Sequence, residues 1–157
     1  MLQHHEFGKA EWTGINHDIN KWLAERQDLI RLYCSLTDES TDHQMFLRRL
    51  ETFCEVLVDY LSAGHFEIFT EIEHEARSLD ERGIQLVNAL YPYLEQSTEL
   101  ALSFNDRCLS LQQNTEKFET LREDLSYLGE SLTDRFQLED QMIEYVHNNN
   151  SLSRNVN

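Results

Sequence analysis

Along most of this chain apolar side chains return every three or four residues, the period of a helix with one buried face. In the first segment Trp12, Ile15, Ile19, Trp22, Leu23, Leu29, Ile30 and Tyr33 mark that face. A second segment, from about Gln44 to Leu79, places Leu50, Phe53, Leu57, Leu61, Ile68 and Ile72 on its apolar side. A third begins near Asp80 and carries Ile84, Val87, Leu90, Leu94, Ala101, Phe104, Cys108 and Leu111. The fourth holds Phe118, Leu121, Leu125, Leu128, Leu132, Phe136, Ile143 and Val146. Between the first two, TDEST (37–41) breaks the pattern and offers Thr41 or Asp42 as an N-cap.

Five Gly and one Pro among 157 residues are too few for the many turns of a sandwich or barrel. Gly64 should weaken or bend the second helix, at a cost of about 1 kcal/mol against Ala. Pro92 is expected to kink or restart the third, because its ring meets the carbonyl four residues earlier. The pattern therefore predicts an all-α fold, an antiparallel up-and-down four-helix bundle with kinked second and third helices. Residues 1–148 would form one domain. Residues 149–157, most of the polar stretch NNNSLSRNVN, would be a flexible C-terminal tail.

The 29 acids and 13 bases give a net charge of −16, which argues against direct nucleic-acid binding. It suits a basic protein partner, although solubility alone would also account for it. No apolar run approaches the roughly 20 residues that cross a bilayer. The start MLQHHEFGKAEW lacks the layout of a secretory signal. Cys34, Cys54 and Cys108, odd in number and without a CxxC, read as reduced, mostly buried thiols of a cytoplasmic protein.

The acids are concentrated. From Leu50 to Ala76 seven occur (Glu51, Glu55, Asp59, Glu67, Glu71, Glu73 and Glu75) with no Lys or Arg. At about 100° per residue, Glu51, Glu55, Asp59, Ser62 and Phe66 form one ridge, away from the Leu57–Leu61–Ile68 stripe. Phe66 is thus an aromatic on an acidic, outward ridge, as interface anchors are. A solvated face with one stray apolar residue would leave the same spacing.

Other chemistries have less support. Glu71 and His74 have the Glu-x-x-His spacing of bundle di-iron sites, as do Glu144 and His147, but spacing alone is weak evidence for a metal. His65 and His74 point to opposite sides, and His4, His5, His17, His43 and His147 are scattered, so no metal or cofactor is expected. There is no GxSxG, Gly-rich phosphate loop or Cys–His spacing, hence no enzyme signature. Glu139 falls within about 20° of Leu132, inside the apolar stripe of the fourth helix. A buried carboxylate needs a partner. A histidine or tyrosine from a neighbouring helix, His65 among them, is the natural candidate, and the reading is structural rather than catalytic.

FCEVLVDYLSAGHFEIF (53–69), DINKWLAERQDLI (18–30) and RFQLEDQMIEYVHN (135–148) together resemble the Rsd/AlgQ family of anti-sigma factors, and ALSFNDRC (101–108) is most similar to its AlgQ branch. The resemblance implies a helical bundle that binds region 4 of the primary sigma factor of bacterial RNA polymerase. Region 4 is a basic helix-turn-helix, and binding would hold sigma from core enzyme and from the −35 promoter element. Sigma-binding positions of the family fall on Asp59, Ser62 and Phe66. Asp59 would pair with a basic side chain, Ser62 permit close approach and Phe66 fill an apolar pocket. Glu55 and His65 are added from position alone. A monomer binding sigma one to one is implied. The rival reading is a hemerythrin-like metal-binding bundle acting as a sensor.

Overall fold

The computed structural model describes the backbone of residues 2–38, 41–111 and 118–155, and the side chains of residues 12–38, 41–110 and 120–149. Leu111 and Phe118 of the expected stripes, His4, His5 and the side chains of the expected tail from residue 150 onward lie outside those described.

Among the described residues, five α-helices and one π-helical turn make four long rods. Helix α1 spans Leu2–Leu36 and α2 spans His43–Ala63. The turn Gly64–Ile68 joins α2 directly to α3, Phe69–Leu79. Helices α4 (Glu81–Leu111) and α5 (Phe118–Asn155) complete the bundle. Asp42 is the N-cap of α2, its carboxylate accepting from Met45 N at 2.8 Å. Asp80 plays the same part before α4, accepting from Gly83 N at 2.9 Å. In each case a short side-chain acceptor takes up an N–H that the first helical turn leaves unpaired.

Contacts fix the direction of each rod. Trp22 stacks on Tyr60, Tyr33 packs on Phe53, and Arg49 donates to the Ser35 carbonyl, so α2 runs back along α1. Leu94 meets Arg135 and Arg107 meets Asp124, so α5 runs back along α4. Helix α5 also runs against α1, with Trp12 on His147, Arg26 on Glu139 and Tyr33 on the Leu125 carbonyl. The chain is an up-and-down bundle around Trp22, Leu29, Phe53, Leu57, Leu61, Ile72, Leu94, Phe104, Leu121 and Leu128, all essentially inaccessible.

Three details depart from the periodic reading. Helix α4 continues through Pro92, which is exposed and does not restart it. Ile30 is 36% exposed, because it stands about 100° from the fully buried Leu29 and both cannot face the core. Phe69, absent from the expected stripe, is buried. In an unbroken α-helix it would sit about 120° from Leu57. The Phe69 N–H reaches back five residues to the Gly64 carbonyl, and the extra residue in that turn swings Phe69 to within about 20° of the stripe.

Gly64 itself is buried against Trp22. A Cβ there would lie 3.0 Å from Trp22 Cζ2. The Ser-Ala-Gly break therefore has a packing origin: it lets the indole approach the backbone where the helix widens.

Candidate partner-binding face

Glu51, Glu55, Asp59 and Ser62 of α2 and His65, Phe66 and Glu67 of the π-helical turn are all exposed. Phe66 is 74% exposed, the most open of the large apolar side chains described. The His65 ring meets the Phe66 ring edge-on, with centroids 4.9 Å apart. The turn thus presents two adjoining rings at the end of a run of carboxylates.

Helix α1 enlarges this acidic surface, which periodicity along one helix could not reveal. Burial pushes the Glu25 carboxyl above its ordinary range, and Asp59, Glu67 and Asp28 push it the same way against Lys21. Glu25 of α1 therefore shares its field with ridge residues of α2 and the turn. Nearby, Glu71 of α3 hydrogen-bonds Asp18 of α1, and burial with that second carboxylate lifts Glu71 to about 7. The pairing of α1 with α2 and α3, visible only once the fold is known, creates both clusters.

The Asp18–Glu71 pair makes stability depend on pH. The folded form holds the Glu71 proton up to about 7, whereas an unconstrained carboxyl releases it near 4.5. A raised folded value means the contribution is complete below 4.5 and is lost as pH rises through about 7. Denaturation midpoints should therefore fall across that window in the parent protein. In Glu71→Gln, which keeps a donor but cannot ionise, the decline should be visibly flatter; equal slopes would remove Glu71 as its source.

Two clefts flank the ridge. One, of about 270 Å³ between α2 and α4, has Leu47, Leu50, Val58 and Leu109 among its walls and Glu51 and Glu55 at its rim. The other, of about 200 Å³, lies beside His65 and Phe69 and is closed by Tyr91 and Leu94 of α4. Apolar walls under an acidic rim suit an amphipathic segment with basic flanks.

Beneath the face, one carboxylate ties the rods together. Glu139 is completely buried and accepts from Tyr60 Oη at 2.6 Å, Arg26 Nη2 at 3.0 Å and Arg135 Nε at 3.0 Å. Arg26 Nε also donates to Tyr60 Oη at 3.1 Å, and Arg135 Nη1 reaches Thr98 Oγ1 at 2.7 Å and the Leu94 carbonyl at 3.2 Å. Helices α1, α2, α4 and α5 all contribute. Burial pushes the Glu139 carboxyl up, while both guanidiniums and the Tyr60 hydroxyl pull it back. The partner is thus a tyrosine with two arginines; His65 is exposed and turned to Phe66 instead. Trp22 Nε1 donates to the Tyr60 carbonyl at 3.1 Å, anchoring the backbone just ahead of the turn that carries Phe66.

Metal chemistry gains no footing. Among the described residues no group of three or more His, Cys, Asp or Glu side chains could hold an ion. Glu71 is engaged with Asp18, and His74 is exposed. Also among the described residues, no helix is long and apolar enough to cross a membrane.

Known proteins resemble the chain over most of its length. A model of the Rsd/AlgQ family, described as regulators of the RNA polymerase sigma(70) subunit, matches residues 1–147. A regulator of sigma D from Yersinia enterocolitica is 32% identical over 137 residues, 85% of this chain and 82% of the relative. One from Yersinia pseudotuberculosis serotype I is 33% identical over 137 residues, 85% of this chain and 81% of its own. One from Pectobacterium atrosepticum is 33% identical over 145 residues, 89% of this chain and 95% of its own. With a family match across almost its whole length and relatives of this similarity, the chain belongs to the Rsd/AlgQ family of sigma-factor regulators.

Proposed function

We propose that this protein binds region 4 of the primary sigma factor through the Asp59–Ser62–Phe66 ridge, with Glu55 and His65 beside it. Sigma is thereby held from core polymerase and from the −35 promoter element. The observation that carries the reading is Phe66, 74% exposed amid carboxylates drawn from two helices. An open benzyl group in that setting is poorly explained by solubility, which needs no apolar anchor. The net charge of −16 complements a basic helix-turn-helix. The protein acts by stoichiometric sequestration in the cytoplasm, one monomer to one sigma, with no catalytic turnover and no contact to DNA. The family match supports a sigma factor as the partner rather than a metal-sensing role.

Calorimetric titration against isolated region 4 at two ionic strengths tests this. One-to-one binding should weaken several-fold between low and physiological salt, mainly through slower association, because steering by opposite charge is screened within about 10 Å at 0.1 M. Absence of heat at either salt, with both proteins folded, would overturn the proposal.

A further inference from the structure

Two of the three cysteines, far apart in sequence, meet across the bundle. Cys54 of α2 and Cys108 of α4 are each 6% exposed and share the wall of the 270 Å³ cleft. Both are free thiols, and their mutual interaction is the largest influence on how either ionises. Cys34 stands apart on α1 and is exposed. We infer that Cys54 and Cys108 form a modification site, an intramolecular dithiol that a hydroperoxide converts reversibly to a disulfide joining α2 to α4.

Three features support this. Both thiols line one cleft between two packed helices, so an oxidant that enters it meets the pair together. The open cleft admits an oxidant little larger than water. The interaction between them holds the Cys54 thiol below its ordinary value in spite of burial, and raises that of Cys108. Cys54 is therefore the attacking thiolate and Cys108 the resolving thiol, since the thiolate is the nucleophile. The Cys54 thiolate displaces hydroxide from the peroxide O–O bond and becomes a sulfenic acid. The Cys108 sulfur then attacks that sulfur, and its proton leaves with the departing hydroxyl as water. Two thiols and one hydrogen peroxide thus give one disulfide and two waters. The product closes a long loop and fixes α2 against α4 beside Glu51 and Glu55.

The full chain carrying Cys34→Ser, which leaves only this pair, provides the test. Treatment with hydrogen peroxide should remove both titratable thiols together, lower the mass of the monomer by two hydrogens and raise Tm by about 5 °C, all reversed by dithiothreitol. Cys108→Ala in the same background should stop at a sulfenic acid on Cys54, trapped by dimedone. The inference is overturned if both thiols stay reduced under conditions that oxidise Cys34 in the parent protein. Oxidation to sulfinic acid without a Cys54–Cys108 crosslink in the peptide map would also overturn it. Neither result depends on sigma binding, so the test stands apart from the proposed function.

Discussion

Glu139→Ala is expected to cost about 3–5 kcal/mol of folding stability, the penalty for leaving buried charges without their partner. Both guanidiniums that meet this carboxylate, Arg26 and Arg135, are almost wholly enclosed. Deleting it strands Arg135 and leaves Arg26 to the largely exposed Asp140, and neither guanidinium can rotate into water without opening the core. A typical domain has only about 5–15 kcal/mol in reserve, so the variant should sit near its unfolding threshold. Tyr60→Phe removes one hydroxyl from the same cluster and should cost about 1–2 kcal/mol, leaving both salt bridges in place. Urea titrations of the two variants beside the parent separate these cases. A Glu139→Ala loss under about 1 kcal/mol would mean that water or rearrangement replaces the carboxylate.

Much of this fold was legible in the spacing of its apolar residues. The four rods and the outward position of Phe66 follow from a 3.6-residue period, and the break at TDEST narrows the α2 cap to Thr41 or Asp42, of which Asp42 is the one. The buried polar cluster was half legible. Glu139 betrayed itself by standing in an apolar stripe, yet its arginines did not, because a basic residue at a stripe position reads as a gap. Arg26 occupies the step between Trp22 and Leu29, and Arg135 the step after Leu132. Treating such gaps as occupied would have found both. The π-helical turn could not be read, since one added residue leaves hydrophobic composition unchanged while rotating Phe69 inward. The acidic contributions of Asp18 and Glu25, like the meeting of Cys54 with Cys108, arise between rods and depend on register. A period along one helix carries no information about that.

The second large effect concerns binding. Phe66→Ala should weaken association with sigma region 4 by about 2 kcal/mol or more, roughly 30-fold, and act mainly on dissociation. Because the ring is 74% exposed in the free protein, its removal should leave helical content and Tm nearly unchanged. Asp59→Lys should act differently. It reverses a charge that shares its field with Glu25, so association should slow and part of the salt dependence disappear.

The most direct measurement is a calorimetric titration of folded Phe66→Ala into isolated region 4, beside the parent at the same salt. An affinity lower by at least roughly 30-fold is the expected result. Heats and affinity equal to those of the parent would contradict a grip centred on the Phe66 ridge.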